Sequence, residues 1–141
     1  MSLARAAASA QLVSGYYADS WFEVKLPAMT KLWQGIGGHS DFFLSEEDAR
    51  EARGAYVGSE PFRFARKLWR LAQARPSRSQ GFRLGVREFV VDLDAPAAVS
   101  VCFANSVIDG ENLGPGGVIQ YYIPDWARFL HTTGREFDFA T

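Results

Sequence analysis

Gly114-Pro115-Gly116-Gly117-Val118-Ile119-Gln120-Tyr121-Tyr122-Ile123-Pro124-Asp125 is the stretch on which the fold turns. Its glycines and proline mark a loop, and the β-branched and aromatic run from Val118 to Ile123 reads as a strand. Pro124-Asp125-Trp126 then reads as the start of a short helix that ends near Gly134, with residues 136–139 as a closing edge strand. Upstream, residues 88–93 and 99–104 are strand-forming, joined by a turn around Asp94-Ala95-Pro96. Residues 106–117, with Asp109-Gly110 and the glycine run, read as a loop of about a dozen residues, long enough to suggest function.

The first half reads differently. Residues 1–10 suggest a weak helix or frayed end, and residues 16–25 are aromatic-rich and ambiguous between strand and helix. Residues 30–36 and 41–44 read as short strands around the loop Gly35-Ile36-Gly37-Gly38. Ser45, followed by Glu46, Glu47 and Asp48, predicts an N-cap with an acidic first turn, and a helix to about Tyr56. Pro61 and the spacing of Phe64, Leu68 and Leu71 predict a second helix, stopped at Arg75-Pro76. Helices first and strands afterwards mean an α+β fold: a single compact domain with N-terminal helices and a mixed or antiparallel sheet. Within it, residues 1–29 form an N-terminal helical or extended segment, and residues 30–141 form the main unit.

Composition narrows the chemistry. The chain of 141 residues is 48% hydrophobic and 22% charged, an ordinary globular balance. Lys+Arg 15 against Asp+Glu 16 leaves a net charge of -1, which argues against a nucleic-acid partner. No apolar run approaches the ~20 residues of a membrane span, and residues 1–10 lack the apolar block of a general secretory signal. One cysteine, Cys102, and two histidines, His39 and His131, are too few for a disulfide or a cysteine zinc site, so no metal and no bound cofactor are expected. Cys102 lies between Val101 and Phe103, where a buried inert thiol is the usual state. His131, late in the last predicted helix, reads as a complement to the negative helix end. Gly35-Ile36-Gly37-Gly38-His39-Ser40 begins like a dinucleotide fingerprint but lacks the last glycine and a following helix.

Two segments carry a resemblance. They are Lys31-Leu32-Trp33-Gln34-Gly35 followed by Phe42-Phe43-Leu44-Ser45, and Gly116-Gly117-Val118-Ile119-Gln120-Tyr121. Together they resemble the ADP-ribosyltransferase-like toxin domains of bacteria, most closely the NAD glycohydrolase branch typified by the tuberculosis necrotizing toxin domain. The likeness covers about residues 30–135. It implies an ADP-ribosyltransferase-like fold and hydrolysis of the nicotinamide–ribose bond, with NAD or NADP as substrate. It also implies an effector that acts in a cytoplasm after delivery by a specialised secretion system, with a cognate immunity protein as a partner.

That reaction passes through an oxocarbenium-like cation, and nicotinamide leaves neutral. An enzyme must therefore position the dinucleotide, the ribose hydroxyls and the attacking water, with no acid needed for the leaving group. Gln120 and Gln34 are the catalytic candidates, since an amide both donates and accepts. Trp33 and Phe43 offer flat faces, Gly35 and His39 border the loop, and Ser45 heads a helix. Related transferases carry arginine where this chain has Gln34, so the phosphates need another cation; Lys31, Arg53, Arg63 and Arg83 are available, and Arg83 is included in the candidate site. The missing Glu-x-Glu or Gln-x-Glu around Gln120 favours hydrolysis over protein modification. The alternatives are a protein ADP-ribosyltransferase using Glu111 or Asp109, and a non-enzymatic binding module of the immunity type. The glycines of residues 109–117 further suggest a loop that orders over bound ligand.

Overall fold

A computed structural model describes residues 2–37, 40–49, 68–75, 83 and 85–138. Helix α1 spans Leu3–Val13 and starts at Ser2, whose hydroxyl accepts the Arg5 N–H at 3.2 Å. Strands follow at Phe22–Leu26 (β1), Lys31–Gly35 (β2), Phe42–Ser45 (β3), Gly85–Val91 (β4) and Ala95–Val101 (β5). Then come Val107–Ile108 (β6), Glu111–Asn112 (β7), Ile119–Tyr122 (β8) and Leu130–Asp138 (β9). Seven of these build one sheet in the order β1-β5-β8-β3-β2-β4-β9, while β6 and β7 form a small hairpin of their own. Every pairing among the described residues is antiparallel. The α+β expectation therefore holds.

Several local expectations are resolved or corrected. The ambiguous 16–25 stretch yields the edge strand β1, and the alanine-rich start is a packed helix. Its small side chains allow close approach: Ala7 is buried with Trp21, Ala98 and Tyr122. Residues before 30 thus supply a helix and an edge strand to the main sheet, with β1 paired to β5. The β4–β5 turn falls at residues 92–94, and Pro96 stands inside β5 opposite Lys25. The segment expected to be one open loop contains the β6–β7 hairpin.

The last predicted helix is only a 3-10 turn, Trp126–Arg128, after Asp125 in the left-handed conformation at φ 57. The chain then enters β9, where Thr132 and Thr133 suit a strand, so His131 pairs with Val90 and its ring meets the Asp92 carboxylate. The predicted second helix is described from residue 68 onward, as a helical turn through residue 71. The first is seen only over residues 46–49; its expected extent to Tyr56 lies outside the described residues.

Register sorts the side chains onto two faces, because directly opposed residues share a side and neighbours in a strand alternate. One row runs Ser100–Gln120–Leu44–Trp33–Glu88 across five strands. The adjacent row, Val99–Tyr121–Phe43, points the other way. On that second face Phe43, Phe89 and Trp126 meet edge to face at 5.1–6.1 Å within a core that includes Leu32, Val91 and Ile123. On the first face α1, the turn at 68–71 and the glycine loop leave a cavity.

Candidate active-site cavity

The glycine run has a steric reason. Gly116 adopts φ 75, and a Cβ there would lie 1.9 Å from the Cys102 carbonyl oxygen. Only glycine lets the loop lie against that carbonyl. The approach is fixed by hydrogen bonds: Gly117 N–H donates to Cys102 O at 2.8 Å, and Cys102 N–H donates to Val118 O at 3.0 Å. The zipped loop delivers β8 in register, with Gln120 between Ser100 and Leu44.

A second anchor holds the other end of the loop. Gln73, buried and at φ 53, donates through its amide to Gly114 O at 3.1 Å and to Ser106 Oγ at 3.3 Å. Its Oε1 accepts the Asn105 N–H at 2.9 Å. Gly114 lies so close to Arg70 that a Cβ would meet its carbonyl oxygen at 2.4 Å. The expected lid is therefore pinned at both roots, and the β6–β7 hairpin projects from between them.

These elements enclose a cavity of about 340 Å³. Gln120 and Trp33 line it from the sheet, Trp69 and Gln73 from the turn, and Gln11 and Tyr16 from the N-terminal segment. Two cations, Arg75 and Arg83, also reach its wall. Arg83 lies along the end of β2: Trp69 Nε1–H donates to its carbonyl at 2.6 Å, and a Cβ on Gly35 would come within 2.9 Å of its Cγ. Gly35 is thus the gap through which Arg83 and Trp69 pack.

The structure groups some sequence candidates and separates others. Gln120, Trp33, Gly35 and Arg83 surround the cavity. Gln34 and Phe43 touch its wall, but strand alternation sends their side chains to the opposite face from Gln120. Gln34 donates to Ser40 O at 2.7 Å and Phe42 O at 3.1 Å, so its amide ties the end of the β2–β3 connection. Trp33 is 1% exposed and one face of its indole stacks on Phe137 at 4.6 Å. The Phe43 ring faces the core.

Ser45 uses its hydroxyl twice, donating to Asp48 Oδ2 at 2.8 Å and accepting the Asp48 N–H at 3.2 Å. It is a helix cap. His39, Arg53 and Arg63 lie outside the described residues. Asp109 and Glu111, the acidic candidates for a transferase, project from the hairpin with 83% and 66% of their side chains exposed. Both pair with Arg75, at 3.3 and 3.8 Å.

Three contributors escaped the sequence reading. Arg75 registers there only as a helix stop, although it stacks on Tyr16 at 5.1 Å beside the cavity. Asp48, part of the capping box, also accepts the Ile119 N–H at 2.9 Å and so joins that helix start to β8. Cys102 donates its thiol proton to Gln120 Oε1 at 3.4 Å. Burial, then Asp19 and Asp48, pushes that thiol up to about 12, so it stays protonated. Among the described residues no group of His, Cys, Asp or Glu could hold a metal ion.

A family model described as the Rhs1 C-terminal toxin domain matches residues 2–125. The chain belongs to this toxin-domain family. Its fold is shared with Rhs1-CT, solved in complex with its cognate immunity protein RhsI1: the TM-score is 0.78 at 20% identity, covering 98% of this chain and 96% of that one. Tne2, solved in complex with Tni2, is similar at TM-score 0.49 and 14% identity, covering 84% of this chain and 91% of that one. Tse6, solved in complex with Tsi6, gives TM-score 0.49 and 13% identity, covering 93% and 94%. Comparison with curated proteins finds no match. No helix among the described residues of this toxin domain is long and apolar enough to cross a membrane.

Proposed function

We propose that this toxin domain hydrolyses the nicotinamide–ribose bond of NAD or NADP. The observation that carries the reading is Gln120: a strand-mounted amide at the wall of the cavity, directly after the glycine loop that resembles the NAD glycohydrolase branch of ADP-ribosyltransferase-like toxins. Water adds to the anomeric carbon as the bond to the nicotinamide nitrogen breaks. That nitrogen keeps the electron pair and leaves neutral, and the water's second proton passes to solvent. The protein's task is positioning, and Gln120 orients the ribose or its water.

Arg83 and Arg75 are the cations within reach of the dinucleotide phosphates, supplying the charge that Gln34 lacks. Asp109 and Glu111 pair with Arg75 on the exposed hairpin, an arrangement that favours hydrolysis over transfer to a protein. Membership of the family supports delivery by a secretion system, action in a recipient cytoplasm, and restraint by a cognate immunity protein.

The test is direct. The purified domain is incubated with NAD or NADP, and free nicotinamide and ADP-ribose (or its 2′-phosphate) are measured in the presence and absence of candidate acceptor proteins. Stoichiometric release of both products supports hydrolysis; label transferred to a protein points to the transferase; no turnover of either dinucleotide overturns the reading.

A further inference from the structure

Gln120 has a side-chain partner for its carbonyl oxygen. Its Oε1 accepts from the Cys102 thiol at 3.4 Å. Ser100, opposite in the row, directs its hydroxyl to Val101 O at 3.2 Å, and Leu44 on the other side is apolar. No described residue bonds Gln120 Nε2. A side-chain amide can rotate by half a turn, and the two orientations present opposite polarity to a ligand. A protonated thiol next to it favours the orientation with the carbonyl oxygen toward sulfur.

We propose that Cys102 is a positioning residue that fixes the polarity of the Gln120 amide, turning its NH2 group toward the cavity so that Gln120 acts on ligand as a hydrogen-bond donor. The inference rests on the proposed NAD(P) cleavage for its catalytic consequence, but not for the geometry. It also gives the glycine loop a purpose beyond connection. Gly116 and Gly117 clamp the Cys102 backbone from one side and Val118 from the other, so the thiol and the amide are held by the same loop. Cys102 itself is 1% exposed, so it acts through Gln120. The group that Gln120 recognises must then be an acceptor oxygen, such as a ribose hydroxyl.

Cys102→Val keeps roughly the volume and removes the donor; Cys102→Ser keeps a donor. The first readout needs no substrate: the Gln120 side-chain NH2 signals, assigned through Gln120→Ala, are followed by NMR. In wild type the NH2 protons show NOEs to cavity-lining side chains and none to residue 102; in Cys102→Val rotation about the Cγ–Cδ bond populates both orientations and NOEs to residue 102 appear, and Cys102→Ser restores the wild-type pattern. The second readout is NAD cleavage. Loss of one neutral hydrogen bond predicts a fall of about tenfold in kcat for Cys102→Val, little change in KM, and recovery in Cys102→Ser.

An unchanged NOE pattern of the Gln120 NH2 group in a folded Cys102→Val would overturn the proposal. So would equal losses in the valine and serine variants, which indicate packing alone. If wild type cleaves neither dinucleotide, the functional reading fails while the amide measurement still decides the positioning role.

Discussion

The two faces of the sheet use the same strands for opposite ends. On one, Phe43, Phe89 and Trp126 interlock edge to face among aliphatic neighbours. On the other, a single row interrupts apolar Leu44 and Trp33 with Ser100, Gln120 and Glu88. Each of those polar groups is hydrogen-bonded: Ser100 to Val101 O, Gln120 to the Cys102 thiol, and Glu88 to Thr133 and Arg135 at 2.8 and 3.2 Å. Burying polar groups costs stability unless their bonds are made, and of these three Gln120 also lines the cavity. The aromatic face, dry apart from Gln34 and Ser45, holds the fold, and the face that carries Gln120 holds the cavity.

Substitutions should separate the two roles. The largest effect belongs to the dry face. Phe89→Ala removes a fully buried ring and should lower stability by about 3–5 kcal/mol, read as a shift in the denaturant midpoint. If folded protein persists at low temperature, its residual activity should scale with the folded fraction.

Gly116→Ala should follow, because the added methyl meets the Cys102 carbonyl oxygen and also strains a positive φ. We expect about 1–3 kcal/mol of lost stability together with a fall in activity per folded molecule. A variant that loses stability alone would separate the loop from the site. Arg83→Ala touches the cavity face and should raise KM for the dinucleotide about tenfold with a smaller change in kcat, as expected for loss of a charged contact to bound phosphate. Steady-state kinetics on folded protein decide it, and an unchanged KM would remove Arg83 from the binding site.

The smallest effect concerns Asp41. Partial burial, then the Asp125 carboxylate, raises its pKa above the usual 3.8. The ionised form is therefore disfavoured in the fold, and stability falls as pH rises from below the ordinary carboxylate value through the raised one. Asp41→Asn should raise Tm slightly at pH 7, by at most about 2 °C, and leave it unchanged near pH 3. A melting series across that range checks both the sign and the window.

Part of this division was readable from residues alone. The Val118 to Ile123 run and its glycine punctuation identify β8 and place Gln120 on it, because β-branched residues after a glycine loop leave little choice. Ser45 with Asp48 announces the helix cap that forms.

Which face each side chain takes was not readable. A slip of one residue in pairing exchanges the faces, so Gln34 could be grouped with Gln120 until the Trp33↔Leu44 and Leu44↔Gln120 registers separated them. His131 was misplaced for a related reason. Pro124-Asp125 reads as a helix start, yet the turn stops after Arg128 and long-range pairing with β4 claims the following residues. Arg75 and Cys102 carry no local signal, since their roles depend on Asp109, Glu111, Tyr16 and Gln120, all brought to them by the sheet and the loop.

The division into a dry face and a cavity face can be measured with the four tryptophans as reporters. Trp33 and Trp69 line the cavity, whereas Trp126 lies in the dry core. The indole N–H signals are recorded while a non-hydrolysable NAD analogue is added to saturation. We predict that the Trp33 and Trp69 signals shift together along one binding curve while the Trp126 signal stays in place. Saturable binding that moves Trp126 and leaves Trp33 and Trp69 unmoved would contradict the account, as would no saturable shift in any of them.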